Sequence, residues 1–381
     1  MGPSSRAGAR APARVPDRRV KDVSTPNPAA PLELAHGPAW PNRWTLAPLT
    51  NKQSHADGTL SDDEYEWLVA RARGGFGLVM TCAAYVSPEG QAWKGQLGIS
   101  DDRHDAGLRR LADGIRELGA VSSIQLHHGG MRADASISGH PLVAPWDDPD
   151  RGVHALSTSD VQRVIDDFVA AAVRAEKAGF DGVEIHGAHG YVLCQFLDAR
   201  KNHRTDGYGG SLEGRSRPLR EVLSGIRAAT GADFQVGVRV SPEGYGITVA
   251  DSRALVEQIL ASGDADYVDL SLWDVAKEPR DTAVDGLLID QYVDLPRHGT
   301  RLGVAGKILA AQDADWCLER GADFVTVGTA AIIHHDLPRL VASTPGFVSE
   351  PQPFSRSRLE QEHLGRDFID YLADGWDDFV A

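Results

Sequence analysis

From Trp44 onward the chain alternates between two patterns. Short apolar runs of strand length are each followed by longer runs whose apolar residues recur at helical spacing. WTLAPL precedes SDDEYEWLVARARGG, and FGLVMTC precedes DAGLRRLADGIRELG. AVSSIQL leads, after a long insertion, to TSDVQRVIDDFVAAAVRAEKAG. FDGVEIH leads to SLEGRSRPLREVLSGIRAATG, and FQVGVRV to VADSRALVEQILASG. ADYVDLS runs into a looser stretch near residue 290, RLGVAGK into AQDADWCLERG, and ADFVTVG into a short helix near DLPRLVA. In the longest amphipathic run, Val161, Val164, Ile165, Phe168, Val169 and Ala172 mark one helical face. Ser61 and Thr158 open helices, and several helices end at glycine. Eight such units predict a (β/α)8 TIM barrel rather than an open doubly wound sheet, because they follow one another without a break and eight strands close a ring.

The barrel is assigned to residues 31–345. Residues 1–30 are rich in Ala, Pro and Arg and lack the apolar core of a secretory signal. They read as a disordered N-terminal arm, and their prolines argue against the amphipathic helix of a transit peptide. Met131–Ala155, inserted after the third strand, is expected to cap the site. Residues 346–381 read as a mostly helical C-terminal extension. There Leu359, Leu364, Phe368, Tyr371, Leu372 and Trp376 share a helical face, which would pack on the barrel's own outside or join a partner subunit in a homo-oligomer.

Composition narrows the classes. A hydrophobic content of 42% over 381 residues is enough for a large core. A net charge of -15 repels nucleic acid and anionic membranes, so neither is expected as a main partner. No apolar run reaches the ~18 residues of a membrane span. Cys82, Cys194 and Cys317 form no CxxC pair, which argues against a structural zinc site or a disulfide framework and fits the reducing cytoplasm. No GxGxxG follows any strand: GGFG at Gly74–Gly77 precedes one, and GYGG at Gly207–Gly210 sits in a loop. A nicotinamide cofactor would have to bind without a Rossmann domain.

A barrel gathers its active-site groups at the C-terminal ends of its strands. That rule brings together Thr50, Gln125, His186, His189, Tyr191, Arg239, Gly306, Lys307, Gly328 and Thr329. EIHGAHGY, Glu184–Tyr191, is the densest of these stretches. Two histidines three apart can hold zinc, with His127 and His128 as further ligands. No carboxylate falls where a water-activating base is needed, so metal is set aside. Imidazole N–H groups that donate to a substrate oxygen need no further ligands. At the ends of the seventh and eighth strands, GVAGK and TVGTA place glycines where backbone can approach a phosphate, and Lys307 adds a charge. Trp93, Trp146 and Trp273 lie in loops that would face a substrate or pack on loop backbone.

Four motifs, NRWTLAPLTN, QLHHGG, FDGVEIHGAHGYVLCQFL with NHRTDGYGGSLEGR behind it, and VAGK followed by ADFVTVG, resemble the old yellow enzyme family of FMN-dependent oxidoreductases. The likeness covers nearly all of residues 40–345. It implies that Ala47, Pro48, Leu49 and Thr50 line the flavin and that Ala83 offers backbone contacts. Gln125 and Arg239 would bind the pyrimidine edge, while Gly306, Lys307, Gly328 and Thr329 would hold the phosphate. His186 and His189 would grip the carbonyl oxygen of an α,β-unsaturated substrate, and Tyr191 would donate the proton, with NAD(P)H as transient reductant. The chain departs from the family at Gly328-Thr329, where an arginine usually follows the glycine, and at Glu213-Gly214-Arg215, where asparagine is usual. The first change removes a phosphate-binding charge, for which Lys307 would compensate. An FMN enzyme that oxidises or desaturates a metabolite, and a flavin-poor barrel with a binding role, are the alternatives to an ene reductase.

Overall fold

The structure, a computed structural model, describes residues 27–381. Residues 1–26 of the expected arm lie outside the described residues. Asn27–Ala30 form a turn, and the Pro28 carbonyl accepts from the Arg43 N–H, so these residues belong to the packed chain.

Eight strands close a barrel: β1 (Trp44–Leu46), β2 (Leu78–Tyr85), β3 (Val121–His127), β4 (Gly182–Gly187), β5 (Gln235–Val240), β6 (Tyr267–Ser271), β7 (Arg301–Ala305) and β8 (Phe324–Val327). Every neighbouring pair is parallel. β8 closes on β1 with Trp44 opposite Val325 and Leu46 opposite Val327. This is the (β/α)8 TIM barrel that the alternation of apolar runs predicts.

The outer layer holds α1 (Asp62–Arg73), α2 (Asp105–Arg116), α3 (Thr158–Ala178), α4 (Val192–Leu197), α5 (Leu212–Ala229), α6 (Val249–Ser262), α7 (Ala311–Glu319), α8 (Thr329–Ile333) and α9 (Leu337–Ser343). Ser61 caps α1 by accepting from the Glu64 N–H. The cap of α3 is Ser157, one residue before the expected Thr158, and its hydroxyl accepts from the Asp160 N–H. Between β6 and β7 the chain makes only a short 3-10 turn, Ile289–Gln291, which explains the looser pattern there.

Aromatic side chains seal the bottom of the ring. Trp40, Tyr267 and Phe324 meet edge to face, with centroids 4.9–5.7 Å apart. A Cβ at Gly237 would lie 2.0 Å from the Tyr267 ring, and one at Gly303 2.0 Å from the Phe324 ring. The two glycines inside strands therefore make room for the plug. At the opposite rim, the Met131–Ala155 insertion forms two short parallel strands, Leu142–Ala144 and Val153–Ala155, over a small core of its own.

The C-terminal extension carries α10 (Arg356–Gln361) and α11 (Arg366–Gly375). Leu359, Leu364, Phe368 and Leu372 are buried in the main core, so the chain's own barrel covers this part of the apolar face. Phe368 meets Trp67 of α1 edge to face at 5.0 Å. The fully buried Arg71 donates to the carbonyls of Ala331 and Ile332 in α8 and of Glu362 in the tail. One guanidinium thus ties α1, α8 and the extension together. Among the described residues no helix is long and apolar enough to cross a membrane.

Phe368→Ala is expected to cost about 3–5 kcal/mol, the range for a fully buried phenylalanine. Chemical denaturation tests this, and a loss under about 1 kcal/mol would mean that the tail rests on the barrel without adding to its core.

Candidate active site

The rim at the C-terminal ends of the strands holds a cavity of about 520 Å³. Ala47, Pro48 and Leu49 line one wall, His189 and Arg239 another, and Gly306, Lys307, Gly328 and Thr329 the far end. Ser271, Trp273, Ala305, Ile308 and Thr326 complete the barrel's share, and Gly375 and Trp376 of the tail close one side. Thr50, Ala83, Gln125, His186 and Tyr191 stand outside this lining, in the layers beneath and beside it. The Ala83 carbonyl already accepts from Gln96 Nε2 at 2.9 Å.

The HGAHGY turn is made by two successive left-handed residues. His189 has φ 59° and is held there by its N–H bond to Ser241 Oγ at 2.9 Å. Gly190 has φ 73°, and a Cβ on it would lie 2.8 Å from the Tyr245 ring, so glycine is required on two counts. The turn sets His186, His189 and Tyr191 edge to face, with centroids 5.0 Å apart in the two pairs that include His186.

Hydrogen bonds fix the tautomers. His186 Nδ1 accepts from the Ala188 N–H, so its proton sits on Nε2, 3.3 Å from His189 Nδ1. The His189 proton then sits on Nε2 and points to Ser271 Oγ at 2.7 Å. Burial, then the neighbouring His189 and the charge of Arg239, push His186 well below its ordinary pKa. Burial, then Arg239 and Arg132, hold His189 at about 3. Both rings are neutral N–H donors at physiological pH. Among the described residues no group of three His, Cys, Asp or Glu side chains is placed to hold a metal ion.

His127 of β3 is similarly defined. Gln96 Oε1 accepts from the Ala92 N–H, so its amide nitrogen faces His127 Nδ1 at 3.1 Å. The imidazole proton is left on Nε2, buried and without a partner. Its ring lies 4.2 Å from that of Tyr191, the shortest ring separation in this cluster.

Under the cavity lies a charged layer. Arg239 Nη1 is 3.5 Å from Asp269 Oδ2, and Gln125 Nε2 donates to Glu184 Oε1 at 2.7 Å. Burial and the charge of Asp269 push Glu184 up to about 8, against the pull of Arg239, and burial raises Asp269 as well, so the two carboxyls beside one guanidinium favour keeping a proton. Arg239 Nε is buried with no partner among the described residues and remains available to a ligand.

Three features fit a flat anionic cofactor. The volume falls within the ~300–1,000 Å³ of small-molecule sites. A Cβ at Gly328 would meet only Leu49 Cδ2 at 3.4 Å and Ala47 Cβ at 3.8 Å, so the glycine keeps the cavity floor open. The N–H groups of Thr329 and Ala330, at the start of α8, have no carbonyl to bind within the helix. Lys307 is engaged elsewhere: its ammonium pairs with Asp274 at 3.1 Å and its side chain is 70% exposed. The compensation expected of it for the missing arginine is thereby divided with Asp274.

Comparison with known proteins agrees with this arrangement. The profile of the NADH:flavin oxidoreductase / NADH oxidase family matches residues 30–344, and the chain belongs to that family, the old yellow enzymes. It is an FMN-dependent oxidoreductase with NAD(P)H as reductant. It is 36% identical over 321 residues to a probable NADH-dependent flavin oxidoreductase, YqiG, of Bacillus subtilis (strain 168), covering 80% of this chain and 84% of that one. An NADPH dehydrogenase of Bacillus pumilus (strain SAFR-032) is 34% identical over 79% of this chain and 90% of its own. Among solved structures, the old yellow enzyme homologue from Zymomonas mobilis superposes with a TM-score of 0.74 at 26% identity, covering 85% of this chain and 94% of that one. Morphinone reductase gives 0.73 at 26% identity, covering 89% and 94%.

Sequence reasoning did not single out Ser271, Thr326 or Gln195 for the site. Ser271 closes the last strand-end of the ADYVDLS run and could have been found by the strand-end rule. Trp376 was marked only as part of the tail's apolar face and Gly375 not at all, because a fold-back of the tail brings them to the cavity.

Glu184 links the site to pH. The unfolded chain releases this proton above about 4.3, the ordinary glutamate value, whereas the folded chain keeps it to about 8. The glutamate therefore lowers stability as pH rises across that window. Glu184→Gln is expected to flatten the fall in thermal midpoint between pH 5 and pH 8 in the flavin-free protein; an unchanged slope would mean that Glu184 ionises normally.

Proposed function

We propose that this chain reduces the C=C bond of an α,β-unsaturated carbonyl compound with electrons from NAD(P)H. Bound FMN would take hydride from the nicotinamide and deliver it to the β-carbon of the alkene. The observation that carries the reading is the neutral His189 imidazole in the wall of a cavity that Gly306 and Gly328 also line, with the neutral His186 and the Tyr191 phenol packed edge to face beside it.

Each residue has a physical task in this reading. Ala47, Pro48 and Leu49 offer an apolar wall to the isoalloxazine. Thr50 hydrogen-bonds its edge, and Ala83 contributes backbone. Arg239, with Gln125 oriented by Glu184, faces the pyrimidine, where a fixed positive charge favours the reduced, more anionic ring. Gly306, Lys307, Gly328 and Thr329 surround the phosphate.

His186 and His189 bind the substrate carbonyl oxygen. As that oxygen gains charge, the two Nε2–H groups would turn to it from His189 Nδ1 and Ser271 Oγ, their partners in this structure, and loss of one such donor typically costs about 3 kcal/mol. Neutrality matters, since a protonated imidazole here would lie among Arg239 and Arg132. Tyr191 then gives its phenolic proton to the α-carbon. The nicotinamide and then the alkene would use the same opening in turn, consistent with the missing Rossmann motif.

Tyr191→Phe should slow alkene reduction by about 10²-fold or more while leaving flavin reduction by NAD(P)H nearly intact, a split typical of losing a general acid. Anaerobic rapid mixing measures the two half-reactions separately; equal slowing of both would remove Tyr191 from the proton-donor role. Thr329→Arg should tighten FMN about tenfold, since a charge-assisted hydrogen bond contributes about 1.5–3 kcal/mol. Fluorescence titration of the flavin-free protein checks this, and unchanged affinity would place the phosphate away from Thr329.

A further inference from the structure

Tyr191 as assigned above must surrender a proton, yet burial raises its pKa above that of an ordinary phenol. Most of the groups that face it do not help. His127 on β3 and His186 on β4 are held neutral by burial and bring no charge. Tyr245, after β5, and Tyr371, on α11, are phenols whose ionisation would oppose that of Tyr191.

Arg132 is different. Its guanidinium carbon lies 4.6 Å from the centre of the Tyr191 ring, over the ring face. The guanidinium also donates to the His189 carbonyl, and it has no carboxylate partner among the described residues. Two other cations at the rim are paired, Lys307 with Asp274 and Lys277 with Glu243, and Lys52 lies over the Tyr371 ring rather than that of Tyr191.

The juxtaposition is anchored by one amide. Gln195 Oε1 accepts from the Met131 N–H at 3.3 Å, while its Nε2 donates to the Gly129 carbonyl at 3.3 Å and the Gly190 carbonyl at 2.8 Å. The loop that carries Arg132 and the turn that carries Tyr191 are thus pinned to the same side chain. Gly130 permits this with φ 59°, since a Cβ there would lie 2.4 Å from Gln195 Oε1.

We propose that Arg132 is a positioning residue for the proton-transfer step, a cation fixed over the face of Tyr191 that stabilises its phenolate. A guanidinium attracts a neutral phenol ring only through the ring's quadrupole. Once the proton leaves, the attraction becomes that between full opposite charges and grows as the mouth dries on substrate binding. In the step itself, the enolate electron pair forms the new C–H bond at the α-carbon. The Tyr191 O–H bond breaks and leaves its pair on the phenolate oxygen, which water from the open mouth reprotonates. No electron changes hands.

This inference rests on Tyr191 being the donor, so its primary test reads ionisation rather than turnover. Holoenzyme labelled with difluorotyrosine, whose phenol ionises nearer neutral pH, is titrated by fluorine NMR, and Tyr191→Phe identifies the Tyr191 signal by its absence. Because Arg132 is exposed, Arg132→Met leaves the core untouched. It should raise the Tyr191 midpoint by about one pH unit, equivalent to about tenfold in acidity, and Arg132→Lys should recover part of the shift. In rapid mixing of dithionite-reduced enzyme with a nitroalkene, Arg132→Met should slow protonation of the released nitronate anion about tenfold while hydride delivery stays within about twofold. An unchanged midpoint in Arg132→Met overturns the proposal. A shifted midpoint in a protein that reduces no alkene upholds the Arg132–Tyr191 coupling and overturns instead the reading of Tyr191 as donor.

Discussion

Closure of β8 on β1 is the constraint from which the site follows. With all neighbours parallel, a closed ring sends every C-terminal strand end to one rim. The contact that completes it is short, since β1 spans only Trp44–Leu46, yet it brings Ala47 and Leu49 beside Gly328 across almost the whole length of the chain. The opposite end is filled by Trp40, Tyr267 and Phe324 and has no room for a ligand. The fold therefore leaves one rim open to carry chemistry.

Below that rim the barrel buries charge, which is costly unless each group is compensated. Arg239 stands against Asp269 and Glu184, and burial raises the pKa of both carboxyls, which favours a proton retained in the pair over a second cation. The same positive neighbour, together with burial, keeps His186 and His189 unprotonated. The charged layer and the neutral imidazoles are thus one electrostatic arrangement. After burial, the Arg239 charge helps to keep both nearby histidines hydrogen-bond donors without charge.

Much of this was legible in the chain. Each apolar run contains a barrel strand, because strands buried on both faces read as continuous hydrophobic stretches. EIHGAHGY already pointed away from metal, because no carboxylate falls where a water-activating base is needed. The direction of its imidazole protons needed the tautomer chain from Ala188 through His186 and His189 to Ser271, which joins two segments distant in sequence. The pairing of Lys307 with Asp274 was equally hidden, as was the Gln195 amide that couples QLHHGG to HGAHGY. Local pattern marks which residues reach the rim. The partner that occupies each of them is set by tertiary contacts, to which periodicity is blind. The cap of α3 shows the limit at small scale, since Ser157 and Thr158 are chemically equivalent candidates one residue apart.

Trp376 and Gly375 form part of the cavity wall although they lie almost fifty residues beyond the last strand. Their position depends on the packing of Phe368 on Trp67 and on Arg71 bridging α8 to the tail. During synthesis the ring can therefore close while its ligand chamber still lacks one side. A chain that stops after β8 would have a barrel and an exposed apolar seam along α1, and the chamber is enclosed only once the segment through Trp376 has folded back.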